Sequence, residues 1–357
     1  LTVESVETQS PKIVPVILAG GTGARLWPIS TATNPKPFLP LLDEGSTFRE
    51  TLARVISVPG VDTVLVVINA AHHEVIQAEI CDCAVEVHLM LEPTSRDSAA
   101  AIGAAAEWLT WRRPGVVAAF VSADHHVPDQ AAFVAALQQA ARSALDYPIV
   151  TLGFRPDTPS TAFGYIRPLP DGRAVARVGA FIEKPDQSTA ERYVAAGYLW
   201  NSGNFICKPE ALLAELAVHA PEVAMYAKAA VASAREDVGA TMLGPEFAQA
   251  PKTSIDRALM ERTTQAAVLP VGFVWSDIGS WRAVFEAAAQ DAALNSVVGD
   301  VLLKDCTGCL VRTPPGMRLA MIGVHSIAVV ANADGDLLVC DLVATEDVRL
   351  AASRFPK

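Results

Sequence analysis

Short unbroken apolar runs alternate along the first half of the chain with segments whose apolar residues recur at helical spacing. Ile13–Leu18 is the first such run and leads straight into glycines; residues 63–68, 85–91, 116–121 and 148–152 share its character. A strand with no polar alternate face is covered on both sides, which predicts a parallel sheet between two layers of helices. The intervening segments carry helix-start signals. Thr47-Phe-Arg-Glu50 reads as a capping box opening a helix through Val55. Asp97 precedes an alanine-rich helix reaching about Leu109, and Asp129 can cap one running to about Leu145. Alternating β and α elements predict an α/β fold, Rossmann-like and mostly parallel, with right-handed crossovers.

Beyond Gly153 the pattern loosens. Residues 165–168 and 175–182 predict strands joined by a turn at Asp171-Gly172. Helices are expected around Ala190, Leu212 and Ala229, and over residues 254–262. From about Asn295 short β-rich stretches recur, with Asp334-Gly335 as a turn. The expected organisation is a loose tail over residues 1–12, an α/β domain over 13–294 and a small β-rich domain over 295–357.

Composition narrows the function classes. The net charge of −11 repels nucleic acid and acidic membranes at long range, so neither is expected as a partner, while a few placed Arg and Lys residues still allow small anionic substrates. The first dozen residues are polar, carry Glu4 and Glu7, and lack the basic start and apolar middle of a signal peptide. No apolar run is long enough to span a membrane, and a cytoplasmic protein is expected. Cys306-Thr-Gly-Cys309 is a lone CxxC without a second pair or spaced histidines, so the expectation is free thiols rather than zinc.

The strongest local signal is Leu18-Ala-Gly-Gly-Thr-Gly-Ala-Arg-Leu-Trp-Pro28, directly after the first strand. Consecutive glycines let backbone N–H groups converge on an anion, and the carboxyl end of a first parallel strand is where α/β folds bind nucleotides. The loop fits neither the dinucleotide fingerprint, which would want glycine at Leu26, nor a P-loop, since no Gly-Lys pair occurs in the chain. It carries Arg25 instead, and Lys36 follows in Asn34-Pro-Lys-Pro-Phe-Leu-Pro40. Arg25 and Lys36 could hold the β- and γ-phosphates as a fork and a point charge. The alternative is a tight turn with two solvated basic residues.

Gly20-Gly-Thr-Gly-Ala-Arg-Leu-Trp-Pro28 with the Pro-Lys-Pro segment resembles the signature of the sugar nucleotidyltransferases. Glu92-Pro-Thr-Ser-Arg-Asp-Ser98, Ser122-Ala-Asp-His125, Phe163-Gly-Tyr-Ile166, Ile182-Glu-Lys-Pro185, Trp200-Asn-Ser-Gly203 and Trp275-Ser-Asp-Ile-Gly-Ser-Trp281 follow in the family's order. Together they resemble the bacterial mannose-1-phosphate guanylyltransferases, without room before Lys357 for the isomerase domain fused to the longer relatives. There are departures: Ala24 where Thr or Ser is usual, Pro37 where Gln is frequent, Asp97 and Ser98 for Asn and Thr, and Ser122 for Pro.

The resemblance implies transfer of GMP from GTP to mannose 1-phosphate, giving GDP-mannose and pyrophosphate. The nucleophile is a phosphate monoester, largely dianionic at neutral pH, so the reaction needs positioned cations rather than a general base. The implied catalytic set is Arg25, Lys36, Asp124, Lys184 and Asp277, with Asp124 and Asp277 holding Mg²⁺. Leu18, Ala19, Gly20, Gly21, Thr22, Gly23, Arg25 and Lys36 would bind the nucleotide. Gly164, Glu183, Lys184 and Asn201 would bind the sugar phosphate. His125 reads as a structural residue. Two competing readings are a nucleotidyltransferase for another nucleotide and sugar 1-phosphate pair, and a regulatory subunit of the same fold; the latter should have lost the metal and phosphate ligands, which are all present. Exposed apolar edges in the C-terminal segment, β-helix-like by the same resemblance, point to a homodimer.

Overall fold

The computed structural model describes residues 11–21, 23–42, 45–169 and 172–355. Thr22 and Asp171, and all but the last two residues of the expected N-terminal tail, lie outside them. The predicted first half forms β1 (Ile13–Leu18), α1 (Thr47–Ile56), β2 (Thr63–Asn69), α2 (His73–Ile80), β3 (Glu86–Glu92), α3 (Asp97–Arg112), β4 (Val117–Ser122), α4 (Gln130–Ser143) and β5 (Ile149–Phe154). The alternation of β1 shows why its run is unbroken. Val14 and Val16 enter the core beneath α3 and its neighbours, while Ile13 and Ile17 enter a second core beneath α1, α2 and α4. Full burial of such a side chain is worth about 1.5–3 kcal/mol, so both faces of the sheet are held.

The expected capping box does not form: the helix starts one residue earlier, with Ser46 as the cap, its Oγ accepting from Arg49 N at 3.1 Å, while the Thr47 hydroxyl donates to the Pro37 carbonyl. Asp129 caps α4 as expected, accepting from Ala132 N. Helix α3 runs three residues past Leu109, and its alanines pack tightly beneath the next helices.

The middle of the chain adds β6 (Tyr165–Leu169), β7 (Ala176–Ile182), α5 (Gln187–Ala195), β8 (Leu199–Cys207), α6 (Pro209–His219), α7 (Pro221–Ala232), β9 (Arg235–Asp237), β10 (Ala240–Met242) and β11 (Ala266–Val271). One sheet of eleven strands results, in the order β5-β11-β7-β6-β8-β4-β1-β2-β3-β10-β9. The expectation of a mostly parallel sheet holds from β4 through β10. The other half is mixed: β8 runs antiparallel to β4, β5 and β6, and β7 antiparallel to β6 and β11. The β5–β8 pairing closes β5, β11, β7, β6 and β8 into a ring. The helix expected over residues 254–262 is replaced by a single π-turn, Asp256–Met260.

After α8 (Trp281–Ala287), β12 (Ser296–Val298), β14 (Leu310–Arg312) and β16 (Ile327–Ala331) stack in parallel, as do β13 (Asp300–Lys304) and β15 (Arg318–Ile322). Successive coils contributing to two parallel stacks make this region β-helix-like. β17 (Leu337–Asp341) closes it antiparallel to β16 through the expected Asp334-Gly335 turn, where Gly335 has φ +92°, and α9 (Val348–Arg354) follows. Cys306 and Cys309 are core residues of the coil, packed with Val311, Met321 and Val329. Among the described residues no helix is long and apolar enough to cross a membrane.

Candidate active site

The glycine loop leaves β1 at Leu18, and Ala19 N donates to Val67 O to fix its exit. Gly23 takes φ +71°, and a Cβ there would lie 2.4 Å from the Lys36 Cβ. Only glycine lets the Pro-Lys-Pro segment close over the loop in this way. That closure buries Lys36. Its Nζ donates to Asp124 Oδ2 at 2.7 Å and to the Asp277 backbone carbonyl. Lys36 therefore joins two acids that lie far apart in sequence.

Asp124 stands just beyond the carboxyl end of β4. Burial is the largest single influence and works to raise its pKa, but the Lys36 ammonium, the neighbouring His125 and the hydrogen bonds to the carboxylate together hold it below its ordinary value. The Asp277 loop is fastened beside it by a pair of backbone hydrogen bonds between His126 and Ser276, 2.9 and 3.1 Å. Asp277 is followed by Ile278 at φ +45°, and its Oδ1 accepts from Gly279 N. Trp281 Nε1 donates to the Trp27 carbonyl, so the Asp277 loop and the glycine loop are locked together. Burial pushes the His125 pKa down to about 4, against the pull of Asp124 and Asp277, so the ring is neutral near pH 7. It packs edge-on against Trp275. Two carboxylates without a soft ligand, one of them already facing a cation, suit Mg²⁺, which binds through one or two carboxylates and completes its shell with water and phosphate oxygens.

A second group lies on the closed ring of strands. Asn201 N donates to Gly164 O at 2.8 Å, and a Cβ on Gly164 would come within 2.7 Å of Glu183 Oε2. Lys184, at φ +49°, turns its ammonium onto the Glu183 carboxylate. Gly164, Glu183, Lys184 and Asn201 are thus brought together. Arg25 stands apart: its guanidinium pairs with Glu346 of the C-terminal region, Nε to Oε2 at 3.0 Å.

Beside Asp124 opens a cavity of about 400 Å³ lined by Leu18, Gly20 and Gly21 of the loop, with Pro37, Glu92 and Ser98 among its other walls. Ala19 is buried behind it, and Thr22 lies outside the described residues. Glu92 was legible only as part of a motif. It ends β3 with 4% exposure, and burial first and the Asp97 carboxylate second raise its pKa to about 8. Asp256, at the start of the π-turn, was not singled out at all. Its pKa is raised to about 7 by burial and by Glu183, and it accepts a hydrogen bond from Asn201. Lys252 also lines the cavity.

A three-layer α/β sheet with a glycine loop after its first strand, a cavity above that loop and Asp124 in its wall, tied through Lys36 to the Asp277 loop, is the arrangement of a nucleotide-binding transferase. The family model described as nucleotidyl transferase matches residues 14–293. The Xanthan biosynthesis protein XanB of Xanthomonas campestris pv. campestris (strain B100) is 37% identical over 330 residues, 91% of this chain and 70% of that protein. The mannose-1-phosphate guanylyltransferase of Sinorhizobium fredii is 37% identical over 333 residues, 92% of this chain and 65% of its own length. The solved structure of a Thermus thermophilus protein, described as a mannose-1-phosphate geranyltransferase, superposes with TM-score 0.85 at 31% identity, over 96% of this chain and 99% of that one. The chain is a nucleotidyltransferase and belongs to the mannose-1-phosphate guanylyltransferase family.

Proposed function

We propose that the protein transfers GMP from GTP to mannose 1-phosphate, releasing pyrophosphate. The observation that carries this reading is the convergence of Lys36 and the Asp277 loop on Asp124, which lines the cavity above the glycine loop. A phosphate oxygen of the sugar attacks the α-phosphorus, the bond to the β-phosphate bridging oxygen breaks, and that oxygen leaves with the electron pair on pyrophosphate. The dianionic nucleophile needs no general base.

Each residue then has a task of positioning or neutralisation. Leu18, Ala19, Gly20, Gly21, Thr22 and Gly23 form the loop around the phosphates. Lys36 neutralises charge at the reacting phosphate, and Arg25 reaches the triphosphate once it releases Glu346. Asp124 and Asp277 would hold Mg²⁺, which would supply positive charge to offset that of the phosphates. Lys184 takes the sugar's phosphate, while Glu183, Asn201 and the bare backbone of Gly164 take its hydroxyls. The name of the Sinorhizobium fredii relative supports the same substrates.

The reading extends to organisation. Residues 295–357 form a separate C-terminal domain through which two copies associate, supported by the exposed Leu302 and Ile322 on β13 and β15. The substrate assignment is tested by incubating the purified protein with GTP, mannose 1-phosphate and Mg²⁺. GDP-mannose and pyrophosphate are expected in equal amounts. GDP-mannose without pyrophosphate, or pyrophosphate without the nucleotide sugar, would overturn it.

A further inference from the structure

One turn reaches both sides of the sugar-phosphate group. The π-turn Asp256–Met260 is closed by Glu261 N donating to Asp256 O at 2.9 Å. Such turns are rare and are frequently found at functional sites. Its first carboxylate accepts from Asn201, Nδ2 to Asp256 Oδ1 at 3.0 Å. The carboxylate just past its end accepts from the Glu183 backbone, N to Glu261 Oε1 at 3.0 Å. In an α-helix, residues five apart would point about 140° away from one another. The wider turn closes at that interval and lets both carboxylates meet β7 and β8.

The consequence is an amide with one orientation. Asn201 Oδ1 shares the single Thr151 hydroxyl hydrogen, at 3.1 Å, with the Asn204 carbonyl at 2.9 Å, while its Nδ2 donates to Asp256. An Asn side chain has one acceptor end and one donor end of nearly equal shape, so only its partners decide which way it points. Pinned at both ends, Asn201 keeps its second N–H for a ligand. On the other side, Glu261 fixes the Ile182–Glu183 peptide, one residue ahead of Lys184, whose φ of +49° is costly for a residue with a Cβ.

We propose that Asp256 is a positioning residue of the sugar 1-phosphate subsite, acting through the Asn201 amide, with Glu261 holding Glu183 and Lys184 from the same turn. This rests on the reading that Gly164, Glu183, Lys184 and Asn201 receive the sugar phosphate. The turn also touches the nucleotide cavity, but through the Ile255 backbone N–H on Ser98 Oγ, which side-chain changes at Asp256 leave in place.

The test is steady-state kinetics of the full chain with GTP, Mg²⁺ and either mannose 1-phosphate or glucose 1-phosphate. Asp256→Ala frees the amide and is expected to raise KM for the sugar phosphate by about tenfold with KM for GTP and kcat changed by less than about twofold. Asp256→Asn keeps an acceptor oxygen and should recover most of the loss. Thr151→Val, close in shape, releases the opposite end of the amide and should give the same split if Asp256→Ala proves unstable. Both KM values moving together, or neither moving, in an active wild-type protein would overturn the positioning role and leave the substrate assignment standing. Wild-type turnover of glucose 1-phosphate alone, with the same split, would support the positioning role and overturn the sugar assignment. Silence of the wild type with both sugars would overturn both.

Discussion

At the scale of single residues, burial moves the titration of Glu92, Asp256 and His125 away from ordinary values. Glu92 gives the clearest consequence. Its pKa in the folded protein is about 8 against an ordinary value of 4.5. Between those values the folded protein keeps a proton that the unfolded chain has released, so this group's contribution to stability is present at low pH and is lost as pH rises toward 8. Asp256, raised to about 7, acts in the same direction. Glu92→Gln removes the effect, and the melting temperature of the variant relative to wild type should rise steadily between about pH 5 and about pH 8, without nucleotide. A difference that stays constant across that range would mean Glu92 is ionised in the fold.

The sequence made some of these residues visible and hid others. Asp124 and Asp277 were legible because each sits in a distinctive peptide, and the structure brings both onto Lys36. Arg25 was expected beside Lys36 as a second phosphate ligand, yet its partner is Glu346, more than three hundred residues away along the chain. Asp256 was invisible because its significance is a contact with Asn201 across 55 residues, which no local pattern encodes.

At the scale of elements, the strands that read as unbroken apolar runs were the ones covered on both faces. β8 was missed because Asn201, Ser202 and Asn204 interrupt its apolar pattern, although all three are buried. Asn201 donates to Asp256 and shares the Thr151 hydroxyl hydrogen with the Asn204 carbonyl, and Ser202 Oγ accepts from Asn204 N, so this polar burial is tolerated in the middle of a sheet. The π-turn was read as a helix because its residues have helical composition; its i→i+5 backbone bond goes with contacts to Asn201 of β8 and Glu183 just past β7, which no local pattern encodes. The junction of loops depends on Trp281, 1% exposed and packed among Leu26, Ile278, Leu310 and Val348. Trp281→Ala should destabilise the protein by about 3–5 kcal/mol, as buried aromatic deletions do, read by denaturant melting. A loss under about 1 kcal/mol would mean that the glycine loop and the Asp277 loop are held by other contacts.

For the whole molecule, the C-terminal coils are part of the site's support. Leu310, Ala328 and Val330 share one apolar cluster with Leu26, Trp27 and Ile278, and Asn332 Nδ2 donates to the Pro28 carbonyl. The change of texture near Asn295 was legible in the sequence; this packing against the first loop was not, since it joins opposite ends of the chain. The same region leaves Leu302 and Ile322 more than half exposed on its outer face. Charges placed there, Leu302→Glu with Ile322→Glu, should convert a dimer into a folded monomer in light scattering, and a wild-type protein that is already monomeric would remove the association from the account.

The central claim is guanylyl transfer to mannose 1-phosphate, and specificity kinetics test it most directly. Pyrophosphate release would be followed with Mg²⁺ across four nucleoside triphosphates and several sugar 1-phosphates, with folded Asp124→Asn protein as the control. The account predicts the highest kcat/KM for GTP with mannose 1-phosphate and a control slower by about a hundredfold or more. A dominant rate with another pair would contradict the substrate assignment. An Asp124→Asn protein as fast as wild type would contradict the role given to the acidic pair.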